Sequence, residues 1–259
     1  MTIQQEIQNK LTQIEQDHQV KILYACESGS RAWGFESQDS DYDVRFIYVH
    51  QRNWYLSVNL EDKRDVIELP VDEIFDINGW DLRKALKLMK KSNPALMEWL
   101  SSSIVYRQDN EFITSIKQLM DEYYSPRACF YHYKHMAKRN YREYLQGDKV
   151  RIKKYFYVLR PLLAMQWLEQ GLGLVPIKFD LMVHKLVLDK QLKQDILDLI
   201  AKKKAKFETK ETQPIESINT FISETLTYFE KHENTLYAPT HDYKAINKLF
   251  VNYVTSHKL

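Results

Sequence analysis

The sequence has few of the residues that mark secreted and membrane-spanning proteins. It contains 2 cysteines in 259 residues, Cys26 and Cys129, which are too few for a disulfide framework and show no zinc-type spacing. No apolar run approaches the roughly 20 residues of a membrane-spanning helix, and the polar N-terminal segment lacks the apolar core of a signal peptide. We therefore expect a cytoplasmic protein with no membrane partner.

Neither sign of charge dominates the chain. The 37 basic and 35 acidic residues leave a formal net charge of +2, so a site for nucleic acid would have to be a local basic surface. Hydrophobic residues make up 44% and charged residues 28% of the chain, which is ordinary for a globular protein. A chain of this length can bury one large core or two smaller ones.

Two kinds of hydrophobic periodicity divide the chain. The first part combines one amphipathic helix with short apolar runs that are typical of strands: a helix at 2–18 and strands at 20–26, 41–49, 66–69 and 73–77. The later part has helical spacing, most clearly in the segments 82–91, 127–146, 151–170, 191–206 and 215–232. The pattern predicts a small α/β part over residues 1–110 and a helical part over residues 111–259.

Glycine is scarce, with only 6 in the chain, and one of them forms the pair Gly29-Ser30 just after the apolar run 20–26. A glycine there lets the backbone approach a ligand closely, and N–H groups at the start of a following helix attract anions. A Gly-Ser pair is also a common structural turn. The pair therefore indicates a phosphate site only if a second feature lies beside it.

Asp41 and Asp43 provide that second feature, because they open the apolar run 41–49 although carboxylates are depleted in strands. Residues two apart in a strand point the same way, so the two carboxylates share one side. Both stay ionised at low cost only with a cation between them, and Mg²⁺ often binds through one or two carboxylates plus substrate phosphates. Asp-x-Asp alone would be an ordinary cap, but its combination with Gly29-Ser30 predicts a nucleotide site.

The apolar run 20–26 followed by GSRAWGFESQDSDYDVRFIYV, residues 29–49, resembles the strand, Gly-Ser, short helix and Asp-x-Asp signature of the DNA polymerase β superfamily of nucleotidyltransferases. More narrowly, it resembles the RNA-ligase-associated nucleotidyltransferases, the RlaP family. The blocks 76–106 and 131–169 are similar to the same family. The resemblance covers most of residues 20–180.

The resemblance implies an α+β fold, in which a small mixed sheet in residues 1–110 carries the catalytic site and a helical domain, residues 111–259, closes the cleft. It implies a metal-dependent nucleotidyltransferase that moves a nucleoside monophosphate from an NTP to a hydroxyl and releases pyrophosphate. An RNA end is one candidate acceptor. The cofactor would be Mg²⁺ or Mn²⁺, held by Asp41 and Asp43.

The family pattern also requires a third catalytic and metal-binding carboxylate between apolar neighbours on an adjacent strand. Asp76 fits this setting best, because Phe75 and Ile77 flank it. Glu68 is the second candidate and Asp65 the third. A fourth carboxylate, Asp81, immediately precedes the helical segment 82–91 and is predicted to be its N-cap.

On the phosphate side, the resemblance assigns the β- and γ-phosphates of the nucleotide to Gly29 and Ser30. Arg31 follows them directly, and it either reaches a phosphate or pairs with Glu36 or Asp39.

A further set of candidate nucleotide-binding residues lies in the helical part. Lys153, Tyr157 and Arg160 are spaced so that they share one face of a helix, and in this superfamily the helical domain supplies cations to the triphosphate. The alternative is a solvated or core-edge face whose long side chains keep only their polar ends in water.

Two rival functions stay open beside the RNA-directed transferase. One is a nucleotide-binding regulator without turnover, and the other is a nucleotidyltransferase that acts on a protein or a small molecule. The residues name neither the base of the NTP nor the acceptor, and they leave the oligomeric state open.

Overall fold

The computed structural model describes residues 2–72, 74–207, 211–232 and 235–256, without the side chains of residues 206 and 207. Its strands are β1 Val20–Glu27, β2 Tyr42–His50, β3 Val66–Glu68, β4 Phe75–Asp81, β5 Val105–Gln108, β6 Val150–Arg151 and β7 Glu211–Thr212. Its α-helices are α1 Ile3–His18, α2 Gly29–Trp33, α3 Arg52–Tyr55, α4 Leu82–Lys90, α5 Pro94–Leu100, α6 Asn110–Tyr123, α7 Pro126–Tyr144, α8 Ile152–Glu169, α9 Phe179–Leu186, α10 Lys190–Lys202, α11 Glu216–Lys231 and α12 Lys244–Ser256. Glu73, the first residue of the predicted strand 73–77, lies outside the described residues.

The chain forms two compact units. The first contains residues 1–32, 41–124 and 239–259, and the second contains residues 33–40 and 125–238. This division differs from the predicted boundary at residue 110. The physical reason is that α6 buries Phe112 and Ile116 completely and contacts α4 and α12, so α6 and the C-terminal helix belong with the sheet.

The first unit is built on a mixed sheet, which confirms the α+β class. Its strands lie in the order β3-β4-β2-β1-β5. Strands β2 and β4 are parallel, and the other neighbouring strands are antiparallel. The edge strand β5 was not predicted, because the short run from Val105 to Gln108 has only half-buried and exposed residues.

Helix α1 covers one face of this sheet. Its first turn is closed by a capping box, in which Gln5 N donates to Thr2 Oγ1 and Thr2 N donates to Gln5 Oε1, and such caps typically contribute about 1 kcal/mol. Its buried stripe, Ile7, Leu11 and Ile14, packs into a core of sheet residues that includes Val44, Phe46 and Ile77. The opposite face of β2 and β4 is therefore the one on which polar side chains can gather.

The second unit is helical and centred on α8, which contacts α7, α9 and α11. The predicted helices 127–146, 151–170, 191–206 and 215–232 correspond to α7, α8, α10 and α11, with a π-helical turn over Lys203–Phe207 after α10. The segment 33–40 belongs to this unit: Phe35 stacks on Phe156 at 4.5 Å between ring centroids. Within the described ranges, no helix is both long and apolar enough to cross a membrane.

Candidate active site

The site is built on the parallel pair β2 and β4, where Asp43 and Asp76 are direct register partners. Cα partners in neighbouring strands project to the same face, so the two carboxylates lie side by side. Their neighbours Val44 and Ile77 point into the core on the other face. The strand pairing thus brings together Asp43 and the preferred candidate for the third carboxylate.

Arg45 lies between these two carboxylates. Its Nη2 donates to Asp43 Oδ1 at 3.0 Å and to Asp76 Oδ2 at 2.7 Å. Its Nη1 donates to the backbone oxygens of Asp76 at 2.7 Å and Val44 at 3.2 Å. No role had been predicted for Arg45, although its position two residues after Asp43 in the strand puts both side chains on one face.

Negative charge is concentrated around Asp43. Burial raises the pKa of the Asp43 carboxyl above its ordinary value, and the carboxylates of Asp76 and Asp41 raise it further, while the Arg45 guanidinium opposes them. An added cation would therefore stabilise the ionised form of the Asp43 carboxylate.

Gly29 is packed directly against Asp43. Its φ is +58°, and a Cβ at this position would stand 1.9 Å from Asp43 Oδ2, so any other residue would have to displace the Asp43 carboxylate. The neighbouring Ser28 N donates to Asp43 O at 2.9 Å. The predicted proximity of the Gly-Ser turn and the Asp-x-Asp strand is therefore present, and only glycine fits at its closest point.

A second buried carboxylate, Glu27, supports Asp43 from the end of β1. Glu27 is completely buried, and its Oε1 accepts a hydrogen bond from Asp43 N at 2.8 Å. Its Oε2 accepts a hydrogen bond from the Tyr106 hydroxyl on β5. Burial raises the pKa of Glu27 to about 7, although both hydrogen bonds oppose the shift. The sequence analysis missed this residue; its only signal was an acidic residue closing an apolar run.

Asp41 and Arg31 lie next to this pair. Asp41 precedes β2 and is exposed. Arg31 Nε donates to the backbone oxygen of Asp41 at 3.1 Å, and its guanidinium carbon lies 3.8 Å from the centroid of the Tyr42 ring. Ser30 is half-buried in α2. The phosphate-binding roles of Gly29, Ser30 and Arg31 stay predictions.

The geometry separates the three candidates for the third carboxylate. Glu68 is the register partner of Asn78, accepts from Asn78 Nδ2 at 2.9 Å and pairs with Arg64. Asp65 pairs with Lys84 at 2.8 Å. Of the three, Asp76 is the one beside Asp43.

Asp81 is an N-cap, as predicted. Its Oδ1 accepts a hydrogen bond from Arg83 N at 2.8 Å, and this cap marks the start of α4. The carboxyl is almost fully buried, and its Oδ2 accepts from the Tyr55 hydroxyl at 2.6 Å.

Two carboxylates, those of Asp43 and Asp76, converge closely enough to share one cation, which in this structure is the Arg45 guanidinium. Among the described residues, no three His, Cys, Asp or Glu side chains are arranged to hold a metal ion. Two oxygen ligands suit Mg²⁺ when substrate phosphates complete its coordination. The residues therefore fit a metal that binds together with a phosphorylated ligand, and the ligand role of Asp41 stays a prediction.

Lys153, Tyr157 and Arg160 lie on α8, in the second unit. Lys153 and Tyr157 are half-buried. Arg160 is only 3% exposed, and its guanidinium carbon lies 4.9 Å from the centroid of the Trp33 ring within the same unit. This packing agrees with the core-edge alternative for Arg160. The nucleotide-binding role of all three stays a prediction.

Comparison with known proteins gives the family. The model of the RNA repair pathway DNA polymerase beta family, RlaP, matches residues 3–252. The chain belongs to the RlaP family. This membership confirms the resemblance and places the chain among the polymerase-beta-like nucleotidyltransferases.

Two similar proteins illustrate the range of the likeness. The RlaP chain is 46% identical over 253 residues to the protein YcgL of Bacillus subtilis (strain 168), covering 97% of this chain and 96% of the relative. A crystal structure of a nucleotidyltransferase-like protein from Exiguobacterium sibiricum 255-15 matches with a TM-score of 0.33 and 9% identity, covering 98% of this chain and 89% of the other. The family assignment rests on the family match and the 46% identity.

Proposed function

We propose that this RlaP-family chain is a divalent-metal-dependent nucleotidyltransferase that transfers a nucleoside monophosphate from an NTP to a hydroxyl group. The observation that carries the proposal is the register pair Asp43 and Asp76, with the Gly29 backbone packed against the Asp43 carboxylate. Paired carboxylates next to a turn that accepts only glycine are what a site for a metal-bound triphosphate needs. The proposal includes the cytoplasmic location that the sequence predicts.

The residues would divide the work as follows. Asp43 and Asp76, with Asp41 as the further ligand, would hold Mg²⁺ or Mn²⁺, and the bound ion would neutralise phosphate charge and favour ionisation of the acceptor hydroxyl. Gly29 and Ser30 hold the β- and γ-phosphates.

In the transfer step, the acceptor oxygen forms a bond to the α-phosphorus as the bond from that phosphorus to the bridging oxygen breaks. Pyrophosphate leaves, and the proton of the acceptor hydroxyl passes to Asp76. The predicted phosphate contacts of Arg31, Lys153, Tyr157 and Arg160 belong to the same proposal.

An RNA end is the acceptor that we propose, since the family name refers to RNA repair. The net charge of +2 does not by itself support a large nucleic-acid footprint. Transfer to a protein side chain or to a small molecule is the competing outcome.

The test is a transfer assay with each of the four α-labelled NTPs, Mg²⁺ or Mn²⁺, and RNA oligonucleotides that differ only in carrying a hydroxyl or a phosphate at each end. Label on RNA that carries a free hydroxyl, dependent on metal and absent with Asp43→Asn, supports the proposal. Label on the protein itself, or on a small molecule in an RNA-free extract, would show that the acceptor is a protein side chain or a small molecule and not an RNA end. If NTP raises the melting temperature of the protein but no label is transferred to any acceptor, the result would favour the regulator.

A further inference from the structure

We propose that Arg45 is a built-in counter-ion of the carboxylate pair, which holds Asp43 and Asp76 together without metal and weakens the affinity of the site for a free divalent cation. The inference rests on the proposed function only in placing the metal at these two carboxylates. It assigns to Arg45 a positioning role. This role follows neither from the match to the RlaP family nor from the Gly-Ser and Asp-x-Asp motif.

The first support is the way in which the guanidinium is fixed. Nη1 is bound to two backbone oxygens, Val44 O on β2 and Asp76 O on β4. The planar fork of arginine then points Nη2 at both carboxylates at once, which places one positive charge between them. The side chain is 17% exposed, so packing and four hydrogen bonds hold its charge in place.

The second support is that Arg45 and a metal ion need the same oxygens. Nη2 binds Asp43 Oδ1 and Asp76 Oδ2, one oxygen from each of the two proposed metal ligands. The carboxylates are 26% and 35% exposed, so their charges are only partly screened by water. A fixed positive charge beside a divalent ion costs free energy, and phosphates of a bound nucleotide would offset that cost.

The third support is the effect on Asp76. Arg45 binds both the backbone oxygen and the carboxylate of this residue, so it fixes the side-chain rotamer of the proposed proton acceptor. Without Arg45, two neighbouring carboxylates would repel each other with no cation between them.

The alternative is an ordinary structural ion pair, and the first unit contains one for comparison. Arg107 on β5 pairs with Glu15 on α1 at 2.7 Å, with side chains 23% and 27% exposed. It is similar to Arg45 in burial and distance, but its partner is a single carboxylate with no acidic register partner. Arg107→Gln is therefore the matched control.

The experiment is a titration of the metal-free protein with Mn²⁺, read by the loss of the free-ion electron paramagnetic resonance signal, with no nucleotide present. We expect Arg45→Gln to bind Mn²⁺ about tenfold more tightly than the wild type, or more, and Arg45→Lys, which keeps the charge, to stay near the wild type. Arg107→Gln should leave the affinity unchanged. Adding Asp43→Asn to Arg45→Gln should abolish the gained binding, which locates the ion at the carboxylate pair.

Thermal melting gives a second readout. The metal-free Tm should fall in both Arg45→Gln and Arg107→Gln, but Mn²⁺ should restore it only in Arg45→Gln. If Arg45→Gln is unfolded without metal, recovery of the wild-type circular dichroism on adding Mn²⁺ supports the proposal, and a chain that stays unfolded at every Mn²⁺ concentration overturns it.

An Mn²⁺ affinity of Arg45→Gln equal to or weaker than that of the wild type would overturn the inference, as would equal tightening in Arg45→Lys. None of these measurements uses turnover. A failure of the transfer assay would therefore leave the Arg45 result standing, and transfer by the wild type would stand whatever the Arg45 variants bind.

Discussion

Gly29 and Asp43 are in such close contact that a Cβ on residue 29 would lie 1.9 Å from Oδ2 and 2.7 Å from Cγ of the carboxylate. The glycine also has a φ of +58°, which disfavours any other residue. The contact joins the first residue of the Gly-Ser turn to the start of β2, so it sets the position of both halves of the proposed site.

Gly29→Ala should therefore displace Asp43 as well as strain the backbone. We expect a loss of about 2–4 kcal/mol in the free energy of unfolding, from overpacking and the left-handed backbone together, and loss of transfer activity. Gly171→Ala is the matched control, because Gly171 has a φ of +66° and nothing within 4 Å of its added Cβ. It should cost about 1–2 kcal/mol and keep activity; denaturant unfolding measures both, and equal costs would contradict the close contact.

Asp76→Asn should lower kcat at least about 100-fold, because the proton acceptor is removed, while NTP still binds through the remaining ligands. Glu68→Gln should leave kcat within a few-fold, since Glu68 is paired with Arg64 and Asn78 and not with Asp43. Both variants are compared in the labelled-NTP assay. If Glu68→Gln abolishes turnover and Asp76→Asn does not, the catalytic assignment moves to Glu68.

Asp43→Asn should abolish transfer without lowering stability. The pKa of Asp43 is raised by burial, so the neutral amide removes a cost, and its oxygen can still accept from Arg45. Unfolding in EDTA should therefore show an unfolding free energy equal to or above the wild type. A clear loss of stability would instead show that the folded protein depends on the ionised carboxylate. Asp41→Asn should also lose transfer with its fold intact.

Asp81 predicts a pH dependence of stability. Burial raises its pKa from 3.8 to about 6, so between these values the folded protein keeps a proton that the unfolded chain releases. Its stabilising contribution is complete below pH 3.8 and is lost as the pH rises through about 6. Asp81→Asn removes this dependence and should gain about 3 kcal/mol relative to the wild type between acidic and neutral pH.

Asp72→Asn is the control of opposite sign. The backbone N–H groups of Ile74 and Phe75 lower the pKa of Asp72, so its stabilising contribution is present at neutral pH and is lost as the pH falls. Relative to the wild type, this variant should lose stability as the pH rises. The same direction of change in both variants would contradict the assignment of the effect to Asp81.

Local patterns in the sequence determined the elements that carry the site. The helical stripe of Ile7, Leu11 and Ile14 predicted α1, and the alternation after Asp41 predicted β2 with Asp43 and Arg45 on one face. The capping role of Asp81 also followed from its position before an amphipathic run. Helical period, strand period and cap chemistry act between neighbours in the chain, so they are legible in a single sequence.

Only the tertiary structure decided which distant residues meet. The parallel pairing of β2 with β4 places Asp76, and not Glu68, beside Asp43, and the same pairing lets Arg45 bridge two carboxylates. The hydrogen bond from Asp43 N to the buried Glu27 depends on the packing of β1 against β2. Strand order and register are set by the burial of whole faces against α1 and by backbone pairing between segments far apart in the chain. The alternation of residues within one strand shows which face a side chain lies on, but it does not show which residue of another strand lies beside it.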